Sequence, residues 1–410
     1  MVAGEPTKSL PLGSAPERRL PTPSVADGTD AYRTGTEAFK PIAGVDTVMP
    51  RPTVSRRSLL ATTGAGLAAF GAGCTGLTGG GSGGTLRLLD YSYALQNDVL
   101  EQFSEEHGIE ATFQDSQSSQ QNLAKLRSGR VDADLIAFGN YAIPPAMEEG
   151  LLEPIDLDRI DNYDAVFDFL KKDYFETEGQ VYAVPRSFGT TPLVVDRSRI
   201  EGSVSSVESL WNPDYEGLIG GRNDARYQLH FANQAHGRDP NPTSLDELDE
   251  AAVRSNFVDR LELTSGLWNT GGEAESLMRN GEVALQEMYN FNALPLTESE
   301  ERYERLFPEE GPRAWFLAYS IPAGADNVEA AHTFIEEWHA GLGYDGLMEP
   351  NRIALPNERV FEERGIDRAQ YGLDDPDQFI YGEPKPQEVV DRVTRLWSEA
   401  KSQAGTGSGS

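Results

Sequence analysis

The sequence predicts an α/β fold built from two successive α/β runs. Three observations predict it. Short apolar strands alternate with amphipathic helices from Thr85 onward. Residues 185–192, rich in Gly, Thr and Pro, join the first such run to the second. A chain of 410 residues with 38% hydrophobic side chains is long and apolar enough for two packed domains.

The elements follow in chain order. Residues 86–89 (Leu-Arg-Leu-Leu) read as a buried first strand, and Val99, Leu100 and Phe103 share a face of the next helix. Residues 111–113 are a short second strand, Leu123 and Leu126 mark a helix, and residues 133–138 a third strand. Pro144 and Pro145 open a further helix, where proline is tolerated. Residues 180–185 and 191–196 read as two extended segments around a Gly-Thr-Thr turn. The chain ends in a helix over residues 386–401 with Val389, Val390, Val393, Leu396 and Trp397 on one face, then a flexible tail, 405–410. No internal repeat is visible.

Charge narrows the function. The net charge is −31, from 66 acidic and 35 basic residues, which disfavours nucleic-acid binding. Residues 1–73 hold 8 Lys/Arg and 6 Asp/Glu, leaving 27 and 60 for the rest. Only five lysines follow: Lys125, Lys171, Lys172, Lys385 and Lys401. Many carboxylates with few lysines suit a halophilic protein, because at ~1 M salt the Debye length is roughly 3 Å and self-repulsion is screened.

The N-terminal region reads as an export signal. Arg56 and Arg57 precede an apolar run over residues 59–70, too short to span a bilayer, and the run ends in Gly71-Ala-Gly-Cys74. Twin arginines before a mildly apolar core resemble a Tat signal. Gly-Cys resembles a lipobox with Cys74 as the lipidated residue, although Gly71 stands where a large aliphatic residue is usual. Cys74 is the lone cysteine, so no intrachain disulfide forms. Residues 1–48 read as a disordered or artefactual leader, with translation expected from Met49 and a signal over 49–74. The Gly-rich segment 75–84 is a tether with a reach of about 17–19 Å.

Several motifs occur in order: Leu100-Glu-Gln-Phe103 with Gly108-Ile109, Leu123-Ala-Lys-Leu126, Glu149-Gly-Leu151 with Pro154-Ile-Asp156, and Tyr182-Ala-Val-Pro185 before Gly189-Thr-Thr191. Leu210-Trp-Asn-Pro-Asp-Tyr-Glu-Gly217, Asp224-Ala-Arg226, Gly281-Glu-Val283, Ile321-Pro322 and Ala330-Ala-His-Thr-Phe334 complete the set. Together they resemble the spermidine/putrescine-binding proteins of ABC importers. The resemblance implies a two-lobe periplasmic-binding-protein-like II fold with hinge strands and a ligand cleft. It puts 85–190 with 318–363 in lobe 1, and 193–316 with 367–404 in lobe 2. It also implies closure of the lobes on a polyamine-like amine and delivery to a permease with its ATPase. The expected protein is a monomer on the outer face of the cytoplasmic membrane, anchored at Cys74, with no cofactor and no metal.

In polyamine binders the cleft resembles an aromatic box with carboxylates at its ends. Each aromatic face attracts an ammonium by ~0.5–2 kcal/mol, and carboxylates offset the lost hydration. The matching positions are Tyr91, Tyr141, Tyr289 and Trp315, with Tyr93 an extra aromatic nearby. Asp224 matches one family acid, whereas Tyr227 and Leu317 stand where two others are usual. Arg186 replaces an aromatic, and a guanidinium there suits a zwitterionic or anionic amino compound instead. Each residue has a structural alternative. Tyr91, Tyr141 and Trp315 also suit a core, Asp224 a helix N-cap, and Arg186 an ion pair.

Other chemistries find less support. The five histidines show no zinc spacing, and His332 and His339 read as a solvated helix face. Adjacent tyrosines typical of iron-binding relatives and a P-loop are missing from the sequence, and its Gly-rich segment 79–84, which holds a Gly-X-Ser-X-Gly match, precedes the first strand and so lacks the strand-to-helix setting of a nucleophile elbow or a dinucleotide fingerprint. A secreted enzyme acting on a small molecule and a surface adhesion protein remain the alternatives of another class.

Overall fold

The computed structural model of the chain describes residues 83–91 and 97–405. The expected leader, signal and Cys74 lie outside the described residues, as do most of the tether, Tyr93 and most of the tail.

The first run supplies β1 (Gly83–Asp90), α1 (Asn97–His107), β2 (Ile109–Asp115), α2 (Ser119–Arg127), β3 (Leu135–Gly139), α3 (Ile143–Glu148) and β4 (Leu152–Glu153). A small hairpin, β5 (Glu176–Thr177) and β6 (Gln180–Val181), precedes β7 (Val184–Thr191). β1 pairs in parallel with both β2 and β3. It therefore lies inside the sheet, and Leu86, Leu88 and Leu89 are buried on both of its faces. Fully burying such a side chain is worth ~1.5–3 kcal/mol. Helix starts are fixed locally: Ser118 caps α2 by accepting from the Gln121 N–H.

The chain then crosses into a second sheet. β8 (Leu193–Asp196), β9 (Ile219–Arg222), α4 (Ala225–Ala235), α5 (Glu250–Leu263), β10 (Thr264–Trp268), α6 (Gly271–Arg279), β11 (Leu285–Glu287), α7 (Asn290–Ser299) and β12 (Tyr303–Leu306) follow. The strand order is β10-β9-β11-β8-β12, parallel through β10, β9 and β11 and antiparallel around β8. Thr270 and Glu273 form a capping box at α6.

β13 (Arg313–Pro322) returns to the first sheet, antiparallel to β3 and β7. α8 (Val328–Glu337), two wide helical turns (Trp338–Leu342 and Tyr344–Met348), α9 (Glu349–Asn351), α10 (Glu358–Arg364) and β14 (Ile380–Tyr381) complete that lobe. α11 (Gln387–Gln403) packs Val389, Val393, Leu396 and Trp397 against α4 and α5 of the second lobe. Val390 stays half-exposed.

Three expectations need correction. Gly189, Thr190 and Thr191 make no turn, because β7 runs straight through them. Gly189 is needed for close approach: a Cβ there would lie 2.5 Å from the indole of its register partner Trp315. The lobe boundary also shifts. Tyr371, Leu373, Phe379 and Tyr381 pack in the first core, as do Ala314 and Phe316, so only the last helix of 367–404 joins the second lobe. His332 and His339 are buried, since the helix face they share turns toward the core. His332 Nε2 accepts the Asp156 N–H at 2.9 Å.

Burial holds the His339 imidazole down at about 4, and the Pro185 backbone opposes this only in part. A histidine kept neutral in the fold loses stability as pH falls from ~6.5 toward that value, because the unfolded chain binds the extra proton. We expect the unfolding free energy to drop by roughly 2–3 kcal/mol more in the wild type than in His339→Leu between pH 6.5 and 4.5. Urea titrations at the two pH values measure the difference, and parallel losses would reject the role of His339.

Candidate functional site

The candidate site forms where strands of both sheets end. Tyr91 directly follows β1, Tyr141 follows β3, Tyr289 follows β11, and Tyr227 lies in the first turn of α4 after β9. Ligands of open α/β sheets bind beyond the carboxyl ends of parallel strands. β13 passes between these ends with Arg313 and Trp315 on one face, since alternate residues of a strand share a side.

The rings make one connected cluster. Tyr289 lies 5.7 Å from Trp315 edge-on and stacks on Phe291 at 5.3 Å. Phe291 also touches Trp315, at 6.0 Å. Tyr227 is 6.2 Å from Tyr289, their hydroxyls 3.5 Å apart. On the first lobe, the Tyr91 hydroxyl meets Ser119 Oγ at 2.8 Å, and burial pushes that phenol up to about 12. Tyr141 packs over Gly139, where a Cβ would fall 2.8 Å from its ring. The Arg226 guanidinium of α4 lies 4.5 Å over the Tyr141 ring and so bridges the two lobes.

Two of the predicted polar residues have other duties. Asp224 is the N-cap of α4, accepting from the Arg226 and Tyr227 N–H groups, and pairs with the Arg226 side chain at 3.1 Å. Burial raises its pKa, but Arg226 and then Arg222 outweigh that and hold it at about 2. Arg186 stands behind the cleft wall rather than in it. It is fully buried and bonded to Asp90 at 2.8 Å, with the Tyr319 hydroxyl also donating to Asp90 at 2.9 Å. Burial pushes the Asp90 carboxyl up, while Arg186 pulls against it. Asp90 is thereby committed and does not face a ligand as a spare carboxylate.

The second lobe repeats this device. Glu287, at the end of β11, pairs with Arg260 at 2.8 Å, both buried, and accepts from the Arg222 N–H and from Gln228. Gly221 makes room for it, since a Cβ there would come within 3.1 Å of Arg260 Nη2.

Sequence reasoning missed Phe291 and a set of cations. Arg313 stacks 3.6 Å over the Tyr227 ring, and Arg222 lies 4.4 Å from the same ring and 5.0 Å from Tyr289. Lys385 donates to Asn241 at 2.7 Å, and burial followed by the Arg313 charge lowers it to about 8. The signal for Arg313 was its place in Pro-Arg-Ala-Trp-Phe, a basic residue opening an otherwise apolar strand. Elsewhere among the described residues, Glu106, His107 and Glu337 cluster on the outside of the first lobe, where His107 Nε2 lies 3.3 Å from Glu337. No helix among the described residues is long and apolar enough to cross a membrane.

Residues 98–341 match the family described as bacterial extracellular solute-binding protein. The chain is 26% identical over 289 residues to spermidine/putrescine-binding periplasmic protein 1 of Haemophilus influenzae, covering 67% of this chain and 78% of that one. It is 27% identical over 249 residues to the spermidine/putrescine-binding periplasmic protein of Escherichia coli, covering 60% and 70%. The crystal structure of PotD, the spermidine/putrescine ABC transporter substrate-binding protein of Streptococcus pneumoniae, has a TM-score of 0.68 at 20% identity. That likeness covers 78% of this chain and 99% of that one, and it shows the two-lobe fold.

Removing one partner of a buried ion pair leaves an uncompensated charge, at a cost of ~3–5 kcal/mol. Arg186→Leu is therefore expected to lower the unfolding free energy by about that amount, and adding Asp90→Leu to restore more than half. Urea unfolding of the single and double variants checks it. An Arg186→Leu protein as stable as the wild type would release Arg186 for another role.

Proposed function

The chain belongs to the bacterial extracellular solute-binding protein family, and we propose that it is the extracytoplasmic substrate-binding component of an ABC importer. It takes a small solute between its lobes and hands it to a membrane permease driven by an ATPase. The observation that carries this reading is the ring cluster of Tyr227 and Tyr289 from the second lobe with Trp315 from the crossing strand, joined to Tyr141 of the first lobe through the Arg226 guanidinium. Such a wall suits one small molecule gripped from two sides, and closure excludes water around it. The relatives' names set polyamines as the first candidates for the solute. We take the chain to be a binding protein and not an enzyme, because its ring wall is built to hold a molecule and its nearest acids, Asp224 and Glu287, are already saturated.

Export and anchoring belong to the same reading. Twin arginines at Arg56 and Arg57, a short apolar core and Gly73-Cys74 support Tat export and lipidation of Cys74, with segment 75–84 as the tether of a monomer. The excess of acidic residues supports a halophilic setting.

Two measurements test this proposal. Truncating a ring that packs on ligand costs ~1–3 kcal/mol, so Trp315→Ala should weaken solute capture roughly 5- to 150-fold in calorimetry while leaving the fold intact. Equal affinity in both proteins would take Trp315 out of the site. Cys74→Ser should shift the protein from the membrane fraction to the medium, and an unchanged distribution would reject the anchor.

A further inference from the structure

The cleft carries more positive charge than the proposed polyamine role can use. Arg222 Nε and Nη1, Arg313 Nε and Nη1, and Trp315 Nε1 are buried without a hydrogen-bond partner among the described residues. Arg313 is only 7% exposed and forms no ion pair among the described residues, although Asp224 acts on it electrostatically. The groups around it are known. Asp224 is held by Arg226, Glu383 lies 3.7 Å from Lys172, Glu287 is locked to Arg260, and Asp239 is exposed. Five cations (Arg222, Arg226, Arg313, Lys172 and Lys385) thus gather against Asp224, Glu383 and the exposed Asp173 and Asp239, in a chain of 66 acids and 35 bases. Two of the five lysines after residue 73 are among them. A buried guanidinium whose N–H donors lack acceptors is costly, even with Asp224 acting on it from a distance. A protein retains such a group where something else completes it.

We propose that the solute is a small oxyanion, a carboxylate or phosphate compound, held by Arg222 and Arg313 across the Tyr227 ring with Trp315 Nε1 as a further donor. This rests on the solute-capture reading and names its ligand class. The geometry is suited to it. Both guanidiniums flank one ring, at 4.4 Å and 3.6 Å, so the tyrosine face disperses their mutual repulsion and fixes their planes. Each planar group keeps free N–H atoms for an oxygen pair. Arg226, committed to Asp224 and lying over Tyr141, closes the first-lobe side without competing for the anion. An ammonium placed there instead would face two guanidiniums, and the carboxylate oxygen left without a partner nearby, Glu383 Oε2, belongs to an acid that already has Lys172 beside it.

The test uses the full chain at one fixed ionic strength. Thermal unfolding is followed with an acid set (succinate, glutamate, 4-aminobutyrate, glycerol phosphate and inorganic phosphate) and an amine set (putrescine, spermidine and agmatine). We expect acids alone to raise the melting temperature, and the carboxylate and phosphate arms to tell the two sources apart. Arg313→Met and, separately, the half-exposed Arg222→Met should lose affinity for the active acid by at least about tenfold. Arg313→Met should not melt lower than wild type without ligand, because it removes an unpaired buried charge; a residue with a merely structural role would melt lower. Stabilisation by amines alone, retained in both variants, overturns the anion inference and leaves solute capture standing. No response to either set, with no small molecule released from purified protein in mass spectrometry, overturns both.

Discussion

The pairing of β13 with β7 is the constraint on which the rest of the molecule depends. Seven register partners, from Arg313 opposite Thr191 to Tyr319 opposite Val184, tie the return strand to the outgoing one. Both strands continue across the lobe boundary, β7 through Pro192 into β8 and β13 back from β12. Their register sets Trp315 on Gly189 and Arg313 on the Tyr227 ring. A slip of one residue would turn every side chain of β13 to the opposite face. Cleft and hinge are therefore one object, and the hydrogen-bond ladder between the two strands also places the rings and the guanidinium of the cleft.

Behind the cleft, each lobe ends a strand in a buried carboxylate locked to an arginine, Asp90 with Arg186 and Glu287 with Arg260. Such pairs seldom add net stability, since desolvation consumes most of the Coulomb gain. Their value here is positional. Asp90 takes the Tyr91 N–H at 2.7 Å, and Glu287 takes the Arg222 N–H at 2.8 Å, so each fixes the backbone that carries a cleft residue. The two lobes reached the same solution at equivalent places, the carboxyl ends of parallel strands where loop backbone lacks ladder partners.

The fold was legible because alternation of apolar strands and helices is a local signal. It was stated directly by Leu86, Leu88 and Leu89, by Leu123 and Leu126, and by the apolar face of the last helix. The rings were named through resemblance; Tyr289 touches both Tyr227 and Trp315, and Tyr141 is linked to that side through Arg226. The polar part was not legible. Arg186 and Asp224 were reasonable ligand groups until their partners, Asp90 and Arg226, were known. Asp90 lies 96 residues from Arg186, and no window of sequence reveals such a pairing. The same holds for the lobe boundary, because Phe379 and Tyr381 look as apolar as any core residue and only the pairing of β14 with β13 assigns them.

Net charge and local charge point in opposite directions, and screening decides which one a solute meets. At low ionic strength a surface of −31 would repel an anion over roughly a Debye length, 30 Å at 0.01 M. In concentrated salt that length shrinks to about 3 Å and the surface becomes electrically silent. Buried charges are screened far less, so Arg222 and Arg313 keep their field inside the cleft under the conditions that erase the field outside it. An acidic exterior suited to concentrated salt and a cationic interior suited to an anion are thus compatible. They act at different distances, and salt removes only the longer-ranged of the two.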